Sequence, residues 1–406
     1  MNRRDFLKNS FKACSFLGAN SLLSNFLASN SVYANEFSAN NKVLIFIYLP
    51  GGFDGLNVTE PDDAAFRELR PTLATDSNNL INLDSYWKLN NICEPLKEIY
   101  DNGDLAIFPA CGNPNGTRSH FTAQDFMRSG FSSISKDGWM NNSLHYNQSA
   151  NPFRAVSLTG KLNRILKGPE FASNFTSVSR SPLQDLENLE FSLLNSVYDG
   201  FDKSKNSFGS IIKKFGSYMF DTEEVMQRLV DLGDYQPAAS ANYSNSRFAS
   251  YLKTSANLIK NTSVELLYMD YPGGFDTHQN QNLTRNFSDI AASLKSFYKD
   301  LGEKMNDVTV IVGTEFGRTV IENSNKGTDH GSAGTWLAMG KNLQGGMHYD
   351  FRPSFARSDL FGRNALPIQT NYGDVVIEAL DKHMGYKNLD KVFPGFNYQG
   401  VGVFNS

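Results

Sequence analysis

Cysteine is scarce in this sequence, because the 406 residues include only Cys14, Cys93 and Cys111. No two of them form a Cys-x-x-Cys pair, so a zinc site built from thiolates is disfavoured. Cys93 and Cys111 permit one disulfide in an oxidising compartment but do not require it. Histidine and carboxylate side chains are therefore the candidates for any metal site.

An excess of positive charge is also missing, since the formal net charge is −4 at pH 7. So acidic a chain has no broad electrostatic attraction to nucleic acid or anionic lipid, and we expect no nucleic-acid partner. Beyond the N-terminal segment no run is long and apolar enough to span a bilayer, so we expect no membrane span in the mature chain. With 40% hydrophobic and 20% charged residues, the composition is typical of a globular protein.

Residues 1–34 have the features of a cleaved export signal. The pair Arg3-Arg4 begins a motif that resembles the twin-arginine signal, a mildly apolar stretch at 11–27 follows, and small residues near Ala34 offer a cleavage point. We therefore expect the twin-arginine export machinery as a partner and a mature protein that is periplasmic or secreted. This route carries folded proteins and often suits those loaded with a metal or cofactor.

Five short, apolar, β-rich runs predict buried strands. They are Val43–Leu49, Leu105–Pro109, Val264–Asp270, Val308–Val312 and Thr335–Met339. Their near-continuous apolarity suits a sheet covered on both faces. Helical patterns alternate with them, and the clearest is Leu283–Met305, where apolar residues recur at spacings of three and four. The alternation predicts an α/β fold with a mostly parallel sheet.

Residues 184–262 hold few strand patterns and much helical patterning, as in Val225–Leu232 and Phe248–Ile259. We predict a mainly helical insert here, with a loop at Gln236–Ser246, where small polar residues accumulate. In parallel α/β sheets, ligands bind beyond the carboxyl ends of the strands. The segments that follow the five runs are therefore the places to look for a site.

The letters GGFD occur after two of the predicted strands. In LPGGFDGLN, the paired glycines allow a tight turn, and Asp54 could ligate a hard or borderline cation or simply cap a helix. In YPGGFDTHQ, Asp276 and His278 are two residues apart, so both can reach one ion on a turn. Mixtures of aspartate and histidine suit zinc, manganese or iron.

The segment TRSHFTAQD follows the second predicted strand, and Ser119 stands where a helix should begin. A serine there could be a plain N-cap. It could also be a nucleophile at the positive end of the helix, where an attacked anion is stabilised. The neighbours Arg118 and His120 favour the second interpretation.

Two further segments follow the strand at Val308–Val312. In TEFGRT, Glu315 is a possible metal ligand and Arg318 a possible anion clamp, although the two could form an internal ion pair. In GTDHG, His330 is a possible ligand and Asp329 a turn residue. Three other histidines lack such surroundings, and we expect surface or structural positions for His145, His348 and His383.

The ordered motifs GGFDGLN, RSHFTAQD, GGFDTHQ, TEFGRT and GTDHGSAG, behind the leader, resemble the bacterial family catalogued as domain of unknown function 1501. The resemblance covers roughly residues 41–400. That family is similar to the alkaline-phosphatase-like superfamily, alongside sulfatases and cofactor-independent phosphoglycerate mutases. The resemblance implies a three-layer αβα sandwich with a mostly parallel central sheet and a helical insert.

The resemblance also implies two neighbouring divalent metal ions, with zinc, manganese or calcium expected, and a nucleophile that attacks a phosphoryl or sulfuryl group between them. Asp54 and Glu315 would bind one ion beside the nucleophile Ser119. The other ion would be bound by Asp276, His278 and His330.

Arg318 or Arg118 would hold the free oxygens of an anionic ester substrate. Phe316 stands where superfamily members usually have histidine, so one metal site is a ligand short unless His120 fills in. The cysteine signature of modified-cysteine sulfatases is missing, which disfavours that class.

The leading hypothesis is a periplasmic metal-dependent hydrolase of phosphate or sulfate esters with Ser119 as nucleophile. A rival hypothesis is a non-catalytic metal-binding relative that serves as a binding or assembly protein in the envelope. A third is a serine esterase using Ser119 with His278 or His330, which the lack of a G-x-S-x-G elbow disfavours.

Overall fold

The structure is a computed structural model that describes residues 42–131, 134–149, 151, 153–178 and 207–405. The predicted export signal at residues 1–34 lies outside the described residues. By its internal contacts the chain divides into two units. The larger comprises Asn40–Ser177 with Tyr235–Ser406, and the smaller comprises Met1–Ala39 with Val178–Asp234.

The larger unit contains the described strands, and its centre is a mixed β-sheet. In chain order the strands are β1 (Val43–Tyr48), β2 (Thr59–Pro61), β3 (Leu80–Asn82), β4 (Trp87–Asn90), β5 (Leu105–Gly112), β6 (Ala155–Ser157), β7 (Ser173–Asn174), β8 (Leu266–Asp270), β9 (Val308–Gly313), β10 (Gly334–Met339), β11 (Gly346–Met347) and β12 (Thr370–Asn371). The main sheet has the order β11-β5-β10-β9-β1-β8-β6-β7, and β12 also pairs with β5. Adjacent strands of this sheet run parallel, except that β10 is antiparallel to both β5 and β9. Strands β2, β4 and β3 form a separate antiparallel sheet.

The described helices are α1 (Ala64–Leu69), α2 (Pro95–Asp101), α3 (His120–Ser129), α4 (Trp139–Tyr146), α5 (Ser207–Asp231), α6 (Arg247–Asn261), α7 (Thr284–Leu301), α8 (Tyr372–Glu378) and α9 (Leu389–Val392). Helix α5 belongs to the smaller unit and the others to the larger. In the part of the chain that the structure describes, no helix combines the length and the apolar character that a bilayer crossing requires.

Strand β1 lies at the centre of the main sheet, and its entire VLIFIY run is buried. A strand covered on both faces must be apolar at every position, which explains the continuous run. On one face, the ring of Phe46 lies 5.8 Å from Trp139 of α4 and 5.7 Å from Trp336 of β10, centroid to centroid. On the other, Phe287 and Ile290 of α7 line a small apolar cavity with residues of β9 and β10. Helices therefore cover both faces of a mostly parallel sheet, and the predicted α/β class is confirmed.

The predicted helices form with adjusted ends. Helix α7 stops at Leu301 because Gly302 adopts a φ of +52°, and a 3₁₀ segment continues to Asp307. Helix α6 begins after Ser246, whose side chain caps the amide of Ala249, and the predicted loop before it is irregular. Residues 184–206 of the predicted insert lie outside the described residues. Of the rest, residues 207–234 fall in the smaller unit and α6 falls in the larger.

Cys93 and Cys111 are both free and buried. Burial raises the pKa of the Cys93 thiol to about 12. Both residues therefore act as small apolar side chains within the core.

Candidate metal centre

Three segments beyond the carboxyl ends of β5, β8 and β9 bring their polar side chains together. His120 opens α3, Asp276 lies in the turn after β8, and His330 lies between β9 and β10. The stretch between β9 and β10 folds back on itself through a backbone bridge between Arg318 and His330. The sheet thus gathers groups that are up to about two hundred residues apart in the chain.

Three imidazole Nε2 atoms and one carboxylate meet in this cluster. The Nε2 of His330 lies 3.0 Å from that of His120 and 3.1 Å from that of His278. Asp276 Oδ1 lies 2.9 Å from His278 Nε2 and 3.1 Å from His330 Nε2, and its Oδ2 lies 3.3 Å from His120 Nε2. The ligand atoms of His120, Asp276 and His330 all lie within 4.8 Å of one another, and His278 extends the cluster beside His330.

The second ring nitrogen of each histidine contacts an oxygen that can only accept a hydrogen bond. These contacts join Nδ1 of His120 to Glu315 Oε1 at 2.7 Å, Nδ1 of His278 to Asp329 Oδ1 at 3.0 Å, and Nδ1 of His330 to the Arg118 carbonyl at 2.7 Å. Each Nδ1 therefore donates, and a neutral ring presents the lone pair of its Nε2 to the cluster. Lone pairs and a carboxylate about 3 Å apart repel unless a proton or a metal ion lies among them. Oxygen acceptors behind the rings are typical of histidines that ligate metals.

Glu315 is fully buried and supports His120 from behind. Its Oε1 also accepts from the amide of Gly51 at 3.1 Å, and its Oε2 accepts from the hydroxyl of Thr314 at 2.9 Å. Burial raises the pKa of Glu315, but the hydrogen bond from His120, with others, outweighs burial and holds that pKa below its usual value. The same bond raises the pKa of His120. Glu315 thus contacts the Nδ1 side of His120 and orients that ring.

Arg318 is buried and holds Asp276 in place. Its Nη1 donates to Asp276 Oδ1 at 2.8 Å, its Nε donates to the Thr328 hydroxyl at 3.2 Å, and its Nη2 donates to the Thr328 carbonyl. Burial raises the pKa of Asp276, but the hydrogen bonds from Arg318 and His330 lower it by a larger amount. The net pKa of Asp276 is about 2. The predicted anion clamp is therefore occupied by a protein carboxylate.

Phe316 and the first glycine pair shape the buried side of the cluster. The Phe316 ring packs against His120 and His330, with centroids 4.8 and 5.0 Å apart. At Gly51 the φ is +104°, and a Cβ would lie 2.7 Å from the amide nitrogen of Asp276. At Gly52 the φ is +70°, and a Cβ would lie 2.8 Å from the Phe316 ring. Only glycine allows the chain after β1 to approach this closely.

The structure does not bring Asp54 into the cluster. This carboxylate is 1% exposed and accepts from both terminal nitrogens of Arg70, at 2.9 and 3.0 Å. Gln281 Nε2 also donates to it at 2.6 Å. Asp54 is therefore part of a buried ion pair.

Ser119 is the N-cap residue of α3, yet its exposed side chain makes no capping hydrogen bond. Its hydroxyl is thus available beside the ligand candidate His120. The Arg118 guanidinium donates to Asn364 Oδ1 at 3.1 Å and lies 5.7 Å from the ring centroid of Phe361.

Three residues near the site escaped the sequence analysis. The GTDHG pattern indicates a turn at Asp329, whereas the structure places its carboxylate against the Nδ1 of His278. Arg70 and Gln281 had no local pattern to mark them, because their partners are distant in the chain. The other histidines occupy structural positions: His145 contacts Glu170, and His348 and His383 are buried.

Residues 259–392 match the model of a family described as "Protein of unknown function (DUF1501)". A search of curated proteins finds no match. Among solved structures, the crystal structure of Ps i-CgsB is 9% identical, with a TM-score of 0.37 over 88% of this chain and 75% of that chain. The matched segment contains Asp276, His278, Glu315 and His330.

Proposed function

We propose that this chain is an exported, metal-dependent hydrolase of phosphate or sulfate esters, built on an alkaline-phosphatase-like sandwich. The observation that supports the proposal best is the convergence of three imidazole Nε2 atoms and the Asp276 carboxylate, each ring being fixed through its Nδ1. The export part rests on the Arg3-Arg4 leader, and the fold part on the mostly parallel sheet with helices on both faces.

The donor set suits a borderline transition metal. His120, Asp276 and His330 would hold the ion, with His278 adjacent. Mixed imidazole and carboxylate donors favour zinc, manganese or iron, whereas calcium prefers oxygen ligands throughout. A divalent cation at this place would stabilise the negative charge that develops on the ester oxygens.

Ser119 is the proposed nucleophile. Its hydroxyl makes no capping hydrogen bond, and the residue lies at the positive end of α3, a helix of ten residues. In the first step, Ser119 Oγ bonds to phosphorus or sulfur while the bond to the ester oxygen breaks, and the departing alcohol gains the proton that the serine loses. Water then cleaves the covalent intermediate and restores the serine.

One observation favours the rival role of a non-catalytic metal-binding protein. The buried guanidinium of Arg318 already donates to Asp276 and Thr328. Of the two arginines proposed to bind the substrate anion, Arg118 is therefore the one that is partly exposed. A binding protein would keep the metal without turnover.

A pair of serine variants tests the proposed nucleophile. Ser119→Ala should abolish hydrolysis of aryl phosphate or sulfate esters without loss of stability, because this hydroxyl caps nothing. Ser246→Ala is the matched control, since it removes a real N-cap and should cost about 1 kcal/mol of stability with turnover unchanged. Equal turnover in Ser119→Ala and the wild-type protein would exclude the serine mechanism.

Removal of the metal separates the three hypotheses. A hydrolase should lose activity with a chelator and regain it on addition of zinc or manganese, and His330→Ala should lose both metal and activity. Ester hydrolysis that survives the chelator indicates the serine esterase. Bound metal without turnover across a panel of phosphate and sulfate esters indicates the binding protein.

A further inference from the structure

Arg70 is fully buried, and each of its five N–H groups has an acceptor. Its Nη1 donates to Asp54 Oδ2 at 2.9 Å and to Asn57 Oδ1 at 3.2 Å. Its Nη2 donates to Asp54 Oδ1 at 3.0 Å and to the carbonyl of Thr319 at 2.7 Å, and its Nε donates to the carbonyl of Val320 at 2.8 Å. Every hydrogen-bond donor of this buried cation is therefore paired with an acceptor.

Asp54 and Glu315 are the two residues that the family resemblance assigns to one of two metal ions. Both oxygens of Asp54 already accept from Arg70, and Oδ2 accepts from Gln281 as well. Both oxygens of Glu315 are also engaged, Oε1 by His120 and Oε2 by Thr314. A metal ion at Asp54 would have to displace a buried guanidinium that has no other carboxylate partner among its contacts, which is strongly unfavourable.

The donor set therefore fits one metal ion and does not fit the second. We propose that the centre binds a single divalent cation at His120, Asp276 and His330, and that the Arg70 guanidinium occupies the place of a second metal ion beside Asp54. The charge on Asp54 is neutralised permanently by the protein, whatever the supply of metal. This inference rests on the proposed metal centre and adds its stoichiometry.

The number of cations per chain tests the inference directly. The full-length protein is equilibrated with Mn²⁺ or Zn²⁺, freed of excess ion, and analysed by native mass spectrometry and elemental analysis. We expect one cation in the wild-type protein and none in His330→Ala. The double variant Asp54→Asn/Arg70→Gln, which replaces the ion pair with neutral groups of similar shape, should also retain one cation.

Two cations in the wild-type protein, with one lost in the double variant, would overturn the inference while leaving the proposed metal hydrolase intact. No cation in the wild-type protein would overturn the proposed metal centre itself, and the inference with it. If the double variant does not fold, electron paramagnetic resonance of the Mn²⁺-loaded wild-type protein decides. An isolated six-line spectrum supports a single ion, and a spin-coupled pair contradicts it.

Discussion

At the scale of single residues, the two copies of the letters GGFD have different geometries. In the first copy, Gly51 and Gly52 both adopt positive φ and lie against Asp276 and Phe316. In the second copy, Gly274 has an ordinary φ and no atom within 4 Å of a Cβ placed there. The same four-residue sequence therefore does not require glycine equally in both places, because the requirement depends on the atoms that surround each turn.

Gly51→Ala should destabilise the protein by more than about 2 kcal/mol, because the added Cβ meets backbone at 2.7 Å and the φ is +104°. Gly274→Ala, at the second glycine of the other copy, is the control and should be nearly neutral because its added Cβ meets no atom within 4 Å. Urea denaturation of both variants measures the difference. Equal stability of the two variants would contradict the close approach to Asp276.

Glu315→Gln should weaken metal binding about 10- to 100-fold, because the carboxylate that orients the proposed ligand His120 through its Nδ1 is replaced by a weaker acceptor. Competition with a chromogenic chelator gives the affinity. Asp359→Asn, a change at an exposed aspartate outside the cluster, should leave it unaltered. Unchanged affinity in Glu315→Gln would show that Glu315 does not support His120 as a metal ligand.

At the scale of elements, Asp300 near the end of α7 fixes the segment before α6. Its buried carboxylate accepts from the hydroxyls of Tyr235 and Tyr243, at 2.9 and 3.0 Å, from the Ala238 amide at 2.9 Å and from Lys260 Nζ at 2.8 Å. An irregular segment thereby obtains a defined path from a single side chain.

Asp300→Ala should cost about 2–4 kcal/mol of stability, because several donors lose their shared acceptor. Tyr243→Phe removes one donor and should cost about 1 kcal/mol. Thermal unfolding of the two variants gives the order. Equal losses would show that the carboxylate does not organise the segment.

The sequence predicted long buried strands well and short elements poorly. The five apolar runs all form strands of the main sheet, because a strand buried on both faces must be apolar throughout. The small sheet of β2, β3 and β4 was not predicted, since three- and four-residue strands leave no periodicity to detect. The reversed direction of β10 also left no sign in the apolar pattern, which is the same for both directions.

The sequence predicted the site residues that directly follow strand ends. It did not predict contacts between residues that are far apart in the chain and follow no strand. His120, Asp276 and His330 come after strands that end on the same edge of the sheet, so their convergence follows from topology. Arg70 lies 16 residues from Asp54 and about 250 from Thr319, and nothing in the letters indicates that these groups meet.

At the scale of the whole molecule, two buried histidines link folding to pH. Burial lowers the pKa of His348 to about 4 and that of His383 to about 4. His383 contacts the carbonyl of Val43 at 3.1 Å through its Nε2. In the unfolded chain a histidine has a pKa of about 6.5, so on acidification the unfolded chain takes up protons before the folded chain does. Their contribution to stability is complete above that pH and is lost as the pH falls toward 4.

His383→Gln should flatten the pH dependence of the unfolding free energy. Glutamine keeps a donor for Val43 but does not titrate, so about 2 kcal/mol less stability should be lost between pH 7 and pH 5. Urea denaturation of wild-type and variant protein at both pH values measures this change. Parallel losses in the two proteins would show that His383 is not the residue that couples protonation to unfolding.

The stretch between β9 and β10 concentrates much of the centre in one short piece of chain. It contributes the carboxylate behind one imidazole, the aromatic ring beside two of them, the buried arginine, and a histidine with its adjacent aspartate. Tolerance to amino-acid replacement should therefore be strongly uneven along the gene. In a saturation library selected for function, the codons of this single hairpin should form its most depleted interval.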